Sequence, residues 1–382
     1  MQEKKFSILQ SCTMRGRSLK IFRGLGFFTS HTSFRTRLIL RVLFLFFIVR
    51  GYSEEASIVF VHLGKSIPKS IYPAMKQARF LNSELPIYLL TDQKWDFDKE
   101  FFELERIDLV EVDRIFKSEE HKTFTRINRL TSLNLNGLWS YAMERFFFLY
   151  DFIAERNLKN VIHLENDTLL YFSLEEMLSL FQDLQFAAPF QSSAGCIPSL
   201  VWIKEAKSLK SFLDYANFET ENYTGFFPQT YLNDMYLLAR FYKRFGGKLL
   251  TPLPTLMANY ELFFPKKKSL FFPDNQTELS FLSLTGELFP GFIFDAAGLG
   301  IFMNGNDRRY APDSGNGVSH RRLLFEPNHF SYYWGCDKKG RRVPYLSFKG
   351  VNYRIANLHF HSKMCENYTS YDPMLLDFPF KR

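Results

Sequence analysis

Cysteine is scarce in this chain of 382 residues, which holds only four: Cys12, Cys196, Cys336 and Cys365. No two of them form a C-x-x-C pair, and their spacing matches no zinc-binding pattern. A zinc site built on cysteines and a dithiol redox motif are therefore not expected. Four cysteines in a chain of this length leave the cellular compartment open.

A long uninterrupted apolar run is missing from the N-terminal region. Residues 38–49 read LILRVLFLFFIV, which is twelve residues with Arg41 inside them. A membrane-spanning helix needs roughly 20 apolar residues, so this run is short. The length suits the apolar part of a signal peptide, and the Arg- and Ser-rich flank also suits a transit peptide, while a buried helix is the plainest alternative. We expect residues 1–52 to be a targeting or membrane-contacting segment, and the protein to be membrane-associated.

A basic surface is also missing, although the net charge is +8. Residues 1–50 carry ten Lys or Arg against one acid, Glu3, whereas the remaining 332 residues carry 38 basic and 39 acidic side chains. The body of the protein is therefore close to neutral. Binding to a nucleic acid depends on a basic face, so no nucleic-acid partner is expected.

Apolar and aromatic residues are abundant, at 46% and 18% of the chain, which is ample for one large core. Residues 57–63 and 86–92 read as buried strands, and the helical periodicity of 66–82 lies between them. A strand–helix–strand unit of this length indicates a parallel sheet with its helix on one face. The alternation continues with strands predicted at 108–112, 161–164, 185–190 and 200–203, and helices predicted at 138–157, from Ser173, at 204–216 and at 230–245.

We therefore predict an α/β fold over residues 53–382, with a mostly parallel sheet flanked by helices. Ser173 and Glu176 form a capping-box pattern at the start of one helix. From 261 to about 349 the pattern changes, because Pro, Gly and Asn become frequent among clustered aromatic residues. That region is predicted to be rich in loops, with short strands at most.

The strongest local signal for chemistry is His163-Leu164-Glu165-Asn166-Asp167-Thr168. Two carboxylates, Glu165 and Asp167, follow a buried strand, and ligands of parallel sheets bind at the carboxyl ends of strands. Acidic oxygens in such a place can hold Mg²⁺ or Mn²⁺, which in turn bridges a diphosphate. The alternative is a solvated turn that happens to contain two acids.

A second signal lies near the C-terminus, where alternation in Asn357-Leu-His-Phe-His-Ser-Lys363 places His359, His361 and Lys363 on one side of an extended strand. Imidazole is a good ligand for a transition metal, and lysine is a point-charge partner for phosphate. One of the two histidines is expected to ligate the metal. An exposed polar face of a strand is the alternative.

Three further charged residues are candidates for the site. Arg145 can clamp a phosphate, or it can simply pair with Glu144 or Asp151 on its helix. Asp234 is the first candidate for the catalytic acid, although an acid in the first turn also favours the helix dipole. Asp295 is the alternative acid, in a stretch whose small residues would let the backbone approach a sugar or phosphate closely.

These motifs together resemble the GT-A glycosyltransferases. Residues 159–170, KNVIHLENDTLL, are similar to the strand and D-x-D turn of that family, with Glu165 in place of the first Asp. The helix around Arg145, the segment at Asp234 and the terminal His and Lys are similar to family 8 and related bacterial enzymes. The Gly and Pro-Trp that surround the Lys in that family are absent here.

The resemblance implies a GT-A fold and a metal-dependent glycosyltransferase. It would move a sugar from a nucleotide-diphosphate donor, a UDP-sugar above all, to a hydroxyl of a glycan, lipid or protein. Mn²⁺ or Mg²⁺ would be held by Glu165, Asp167 and a terminal His, while Arg145 and Lys363 would meet the phosphates. His62 and Asp92, at the ends of the first two strands, would lie near the base and ribose.

Two other functions compete with this one. Sugar-nucleotide pyrophosphorylases share the layout, but they need a Gly-rich, Arg-containing loop after the first strand, and residues 64–68 read GKSIP. The other competitor is a protein that binds nucleotide sugars without turnover, which the change from Asp to Glu at 165 would allow.

Overall fold

The structure is a computed structural model, and it describes residues 56–64, 67–92, 98–128, 137–192, 195–223, 232–256, 287–305 and 330–372. The chain divides into two units, Met1–Glu54 and Glu55–Arg382. The predicted N-terminal segment at 1–52 lies outside the described residues. Among the helices that are described, none has the length and apolar character that crossing a membrane requires.

The central sheet has eight strands, which are β1 (Ser57–His62), β2 (Ile87–Thr91), β3 (Ile107–Glu111), β4 (Lys159–Leu164), β6 (Phe186–Ser192), β7 (Gly195–Cys196), β8 (Leu200–Glu205) and β9 (Thr251–Leu253). Their order is β3-β2-β1-β4-β8-β6-β7, with β9 paired to β6. Adjacent pairs β3-β2, β2-β1, β1-β4 and β6-β9 are parallel, while β8 runs antiparallel to both β4 and β6, and β7 antiparallel to β6. The predicted α/β class with a mostly parallel sheet is confirmed, and the architecture is consistent with a GT-A fold.

Helices cover both faces of this sheet. The helices are α1 (Ile71–Leu81), α2 (Lys99–Leu104), α3 (Glu119–Ile127), α4 (Leu138–Arg156), α5 (Leu174–Phe181), α6 (Ala206–Glu221), α7 (Asp234–Phe245) and α8 (Gly298–Asn304). Ile58 and Phe60 of β1 pack into one core with α1, α5 and α8, while Val59 and Val61 pack into a second core with α3, α4, α6 and α7. A strand buried on both faces needs a continuous apolar run, which is the pattern by which the sequence predicted it.

The sequence predicted the first residues of α5 correctly, but it did not predict how that end of the helix is capped. Ser173 is the N-cap residue, but its side chain makes no capping hydrogen bond. The backbone N–H of Leu174 instead donates to Oδ1 of Asn82, at 2.8 Å. Glu176, the predicted partner in the capping box, accepts two hydrogen bonds from Arg354, at 2.9 and 2.8 Å. Hydrogen bonds with Asn82 and Arg354, both distant in sequence, therefore form in place of the predicted capping box.

A second sheet corrects the prediction that 261–349 holds short strands at most. Strands β10 (Phe292–Ile293), β11 (Ser331–Cys336), β12 (Arg342–Phe348) and β13 (Val351–Ile355) form a four-stranded sheet in the order β10-β13-β12-β11. Six- and seven-residue strands form because β11 and β12 pair antiparallel along their whole length. The parts of this region at 257–286 and 306–329 lie outside the described residues.

A short two-stranded ladder joins the C-terminal region to the central sheet. Strand β5 (Thr168–Leu170) pairs antiparallel with β14 (Asn357–His359), with His359 opposite Thr168. The ladder continues in the hydrogen bond from the backbone N–H of Phe360 to the carbonyl of Asp167, at 2.9 Å. Because β5 directly follows the acidic turn, this pairing brings the C-terminal histidines to that turn.

A buried ionic cluster between α3 and α4 carries a pH-dependent share of the stability. His121 is fully buried, with Nδ1 at 2.6 Å from Asp151 and Nε2 at 3.3 Å from Glu144. Burial lowers the pKa of His121, but the hydrogen bonds with the two carboxylates outweigh it and the net pKa is raised above 6.5. The folded state therefore holds this proton more tightly than the unfolded state does.

We expect the His121 contribution to be fully present below pH 6.5 and to be lost as the pH rises through the raised folded-state pKa. His121→Gln should cost about 3 kcal/mol in acid, since Asp151 and Glu144 lose the buried cation between them, and less at alkaline pH. Urea unfolding of both proteins between about pH 6 and 9 measures this difference. Lys122→Gln on the same helix is the control and should leave the pH slope unchanged. A pH-independent difference for His121→Gln would contradict the expectation.

Candidate metal and donor site

The acidic turn lies at the carboxyl end of β4, where the sequence predicted it. The turn is closed by a hydrogen bond from the N–H of Thr168 to the carbonyl of Glu165, at 3.1 Å. The N–H of Glu165 donates to the carbonyl of Ser199 at 3.0 Å, which fixes the turn to the start of β8. Since β1 and β4 are parallel, with Phe60 opposite Leu164, their carboxyl ends meet at this edge.

Glu165, Asp167 and His359 form one cluster of metal-ligating groups. Nε2 of His359 lies 3.1 Å from Oε2 of Glu165 and 3.2 Å from Oδ1 of Asp167. One ligand atom from each of the three groups lies within 4.8 Å of the others. Asp167 is only 2% exposed and His359 is 5% exposed, so the cluster is largely shielded from water.

Neighbouring cations lower the pKa values of both carboxylates in the cluster. Burial raises the pKa of Asp167, but Lys363 and His359 outweigh it and hold that pKa well below its usual range. In Glu165, burial is likewise outweighed by Arg145 and His359, and the pKa is lowered. Burial lowers the pKa of His359, whereas Asp167 and Glu165 raise it, to a net value of about 10. The imidazolium thus supplies positive charge between the two carboxylates.

The donor set of this cluster fits a divalent cation. Two carboxylate oxygens and one imidazole nitrogen suit Mn²⁺, and the two oxygens alone suit Mg²⁺. A bound ion would replace the positive charge of the protonated imidazole, because His359 has to lose the proton on Nε2 before that nitrogen can bind a metal. Nδ1 of His359 is buried and makes no hydrogen bond with any residue that the structure describes. The ligating atoms of the cluster therefore fit a divalent cation, although no carboxylate among the described residues accepts a hydrogen bond from Nδ1 of His359.

Arg145 pairs with neither of its two helix neighbours. Its guanidinium bridges Oε1 of Glu165 and Oδ2 of Asp234, at 2.5 Å each, and its side chain is only 10% exposed. The alternative of a pair with Glu144 or Asp151 is wrong, since those acids hold His121. Burial raises the pKa of Asp234, and the Arg145 charge lowers it, with a net rise. Arg145 thus joins Glu165 of the acidic turn to Asp234 of α7.

The C-terminal motif differs from the single strand face that alternation predicted. Strand β14 ends at His359, and the chain then turns, with the N–H of Lys363 donating to the carbonyl of Phe360 at 2.9 Å. Lys363 adopts a left-handed φ of 63°, and its ammonium contacts Oδ2 of Asp167. His361 lies beside His359, with ring centroids 5.2 Å apart, but outside the three-residue cluster. Lys363 therefore reaches the site through a turn and not through strand alternation.

His62 and Asp92 lie at the ends of β1 and β2, as predicted. Nδ1 of His62 is 2.9 Å from Nδ2 of Asn166, the middle residue of the acidic turn. Both oxygens of Asp92 accept from the backbone N–H of Gly64, at 3.1 and 3.0 Å. Asn166 was given no role from the sequence, although its place between the two acids was the available signal. It ties the turn to the neighbouring strand end.

Asp295 is almost fully buried and binds backbone rather than facing a cavity. Its carboxylate accepts hydrogen bonds from the N–H groups of Leu299, Gly300 and His359, at 2.9, 2.9 and 3.0 Å. Burial raises its pKa, and these three bonds lower it, with a net rise. The close backbone approach predicted for this stretch does occur, but the partner is the strand of His359. This geometry favours a positioning role over that of the alternative catalytic acid.

Comparison with known proteins gives similarity at the level of solved structures. No family model matches the sequence, and no curated protein matches it either. The glycosyltransferase GlyE of Streptococcus pneumoniae is 20% identical, over 57% of this chain and 50% of that one, with a TM-score of 0.34. The PaToxG glycosyltransferase is 13% identical, over 67% of this chain and 94% of that one, with a TM-score of 0.37.

A third similar structure is the galactosyltransferase LgtC in complex with donor and acceptor sugar analogues. It is 12% identical, over 60% of this chain and 83% of that one, with a TM-score of 0.34. The chain spans half the length of the GlyE structure. Because all three TM-scores are below 0.5, the function proposed below rests on the geometry of the site and not on these similarities.

Proposed function

We propose that this protein is a metal-dependent glycosyltransferase that moves a sugar from a nucleotide-diphosphate donor to a hydroxyl acceptor. The observation that carries the proposal is the cluster of half-buried Glu165 with buried Asp167 and His359 at the carboxyl ends of parallel strands. Ligands of open α/β sheets bind at that edge. A diphosphate is the ligand whose charge a divalent cation in such a cluster would neutralise.

Each residue of the site has a role in this proposal. Glu165, Asp167 and His359 would hold Mn²⁺ or Mg²⁺, which when bound neutralises the diphosphate as a leaving group. Lys363, beside Asp167, is placed to add its charge to the same phosphates. His62 and Asp92 line the adjoining strand ends, where the base and ribose would lie. A UDP-sugar donor and a carbohydrate or glycolipid acceptor are the partners that the sequence resemblance favours.

Asp234 remains the first candidate for the catalytic acid. Its carboxylate is buried and faces Arg145, which also holds Glu165. A carboxylate fixed by a buried cation keeps one orientation and one charge, as a group that stabilises positive charge at an anomeric carbon must. In this arrangement Arg145 orients the two acids as its first task, and the contact with a donor phosphate that the sequence suggested becomes secondary.

Titration calorimetry tests the proposal directly. Purified protein is titrated with UDP in the presence of Mn²⁺, and then with Mn²⁺ replaced by a chelator. We expect binding of UDP that depends on the metal, together with slow hydrolysis of one or more nucleotide sugars in a donor screen. Binding of UDP with equal affinity in chelator would contradict a metal-bridged diphosphate.

A binding protein without turnover is the second candidate, and one observation favours it. Both oxygens of Glu165 already have partners, Arg145 on one and His359 on the other. If this carboxylate is committed to those partners, a donor could bind without reaching the reactive geometry. Metal-dependent UDP binding with no hydrolysis and no transfer to any acceptor would support this candidate over the enzyme.

We also propose that residues 1–52 direct the protein to a membrane, because this segment combines ten basic residues with an apolar run. Fractionation of cells that express the full chain, beside a chain that starts at residue 53, tests the proposal. We expect only the full chain to sediment with membranes. Equal distribution of both proteins would overturn it.

Lys363→Met should affect metal and donor in opposite directions. The ammonium contacts Asp167 and is close enough to oppose a second cation, so its removal should tighten Mn²⁺ binding roughly two- to fivefold, as a half-exposed ion pair permits. UDP binding in saturating Mn²⁺ should weaken about tenfold, because a charged partner of the phosphates is lost. Lys339→Met, at an exposed ion pair with Glu175, is the control. Weaker Mn²⁺ binding in Lys363→Met would contradict this reasoning.

A further inference from the structure

Helix α8 lies directly against the strand that carries His359. Gly300, in the second position after Gly298, is buried at this contact. A β-carbon on Gly300 would lie 1.9 Å from the carbonyl oxygen of His359 and 2.6 Å from its carbonyl carbon. Real β-carbons do not approach atoms this closely, and the obstacle is backbone, which cannot rotate away. Any side chain at Gly300 must therefore displace β14, α8 or both.

Asp295 fixes the same two elements to each other. One of its oxygens, Oδ2, accepts both from the N–H of Gly300 at 2.9 Å and from the N–H of His359 at 3.0 Å. The other, Oδ1, accepts from the N–H of Leu299 at 2.9 Å. A single buried carboxylate is therefore bonded both to the start of α8 and to the backbone of the candidate metal ligand. Loss of this carboxylate would leave three backbone N–H groups without an acceptor.

The backbone of Asp295 is in turn tied to the other half of the site. Asn357 accepts from the N–H of Asp295 at 3.1 Å and donates to its carbonyl at 3.2 Å. Ser199 donates through Oγ to the same carbonyl at 3.0 Å, and its own carbonyl accepts from the N–H of Glu165. An unbroken chain of hydrogen bonds thus runs from the backbone of His359, through Asp295 and Ser199, to the backbone of Glu165.

We propose that Asp295 and Gly300 are positioning residues that set the distance between the His359 imidazole and the carboxylates of the acidic turn. Asp295 holds the strand of His359 by a hydrogen bond, and Gly300 permits the close approach that this bond requires. The proposal rests on the proposed function in one respect, that the three groups bind a divalent cation. The placement of His359 by the two residues is independent of what the cluster binds.

A crystal structure of the metal-free Gly300→Ala protein tests the placement directly. We expect Nε2 of His359 to lie farther from Oε2 of Glu165 than the present 3.1 Å, by at least several tenths of an ångström, because the 1.9 Å contact has to be relieved. An unchanged distance, with the strain taken up elsewhere in α8, would overturn the proposal. This outcome does not depend on metal binding or on activity.

Binding of Mn²⁺ without any nucleotide, followed by the electron paramagnetic resonance of the free ion, tests the consequence. We expect Gly300→Ala to bind Mn²⁺ about tenfold or more weakly than the natural chain, which is the effect typical of residues that orient a metal ligand. In a His359→Ala background, Gly300→Ala should have no further effect. An equal loss in both backgrounds would mean that Gly300 acts on the fold and not through His359, and would overturn the proposal.

Gly350→Ala is the matched control for simple loss of stability. Gly350 has a left-handed φ of 81° and open space around its β-position, so alanine there strains the backbone without touching the site. This variant should lower the melting temperature and keep the Mn²⁺ affinity. Failure of the natural chain itself to bind Mn²⁺ would count against the proposed function alone, since the crystallographic distance still decides the role of Gly300.

Asp295→Leu supplies a second variant of similar shape. Its side chain accepts no hydrogen bond, so Leu299, Gly300 and His359 all lose their acceptor. We expect weaker Mn²⁺ binding in the natural background and no further effect of the substitution in the His359→Ala background. Natural Mn²⁺ affinity in Asp295→Leu would overturn the role assigned to this carboxylate.

Discussion

Replacement of Asp167 by asparagine should weaken Mn²⁺-dependent binding of UDP by more than about 100-fold. Positioning residues around a metal cost 10- to 100-fold when they are lost, and a ligand that carries the charge should cost more. Asp167 contacts both His359 and Lys363, and it is only 2% exposed, so its charge acts in a site with little water. Asparagine keeps the shape and one oxygen but removes the charge.

Calorimetry with UDP and Mn²⁺ measures this effect, and a urea titration checks that the variant is folded. Asparagine is preferred to alanine because Asp167 is buried. Alanine would leave a cavity beside two cations. Asp108→Asn, at an exposed acid on the edge strand β3, is the control and should keep full affinity. Metal-dependent UDP binding as strong in Asp167→Asn as in the natural chain would show that Asp167 is not a metal ligand.

Arg145→Met should destabilise the protein by about 3–5 kcal/mol, the cost of breaking a buried ion pair from one side. The guanidinium bonds Glu165 and Asp234 at 2.5 Å each, and its side chain is 10% exposed. Without it, two acids lie close together in a site that excludes water. The pKa of Asp234 is already raised by burial, so this carboxylate should take up a proton and recover part of the loss.

The matched control is Arg240→Met. Arg240 pairs with Glu219 at 2.8 Å, but its side chain is 45% exposed, and exposed pairs contribute about 1 kcal/mol or less. Urea unfolding at neutral pH compares the two variants. Arg145→Lys should also lose most of the stabilisation that Arg145 provides, because one ammonium cannot make two directed bonds to carboxylates on different elements. Equal free energies of unfolding for Arg145→Met and Arg240→Met would show that Arg145 is not structurally essential.

The parts of the fold that depend on local pattern were predictable from the sequence. Strands β1 and β4 are buried on both faces, and that environment requires the short apolar runs by which they were recognised. The acidic turn followed from the end of β4, and α4 ends at Arg156, just before Asn157, whose left-handed φ of 51° stops the helix. Helix α1 begins later than predicted, at Ile71, after a turn that starts at Pro68.

The parts that depend on partners far away in sequence were not predictable in the same way. Asn82 caps α5 from 92 residues away, so no local motif could reveal it. The long strands β11 and β12 lie among glycines and prolines that suggest loops, and they are stabilised by pairing with each other and, for β12, with β13. The partners of Arg145 lie 20 and 89 residues away, in the turn after β4 and on α7. The approach of His359 to the acidic turn was expected from the family resemblance alone.

The pairing of β5 with β14 has a consequence for the order in which the protein is made. A ribosome releases Asp167 long before it releases His359, which follows 192 residues later. During that interval the turn lacks the imidazole and the lysine that partner its acids, and β5 lacks its neighbouring strand. The nascent chain therefore carries Asp167 without either of these two cations while the following 192 residues are made. The capacity that we propose for this cluster, to hold a cation, would therefore arise late, when the C-terminal segment docks.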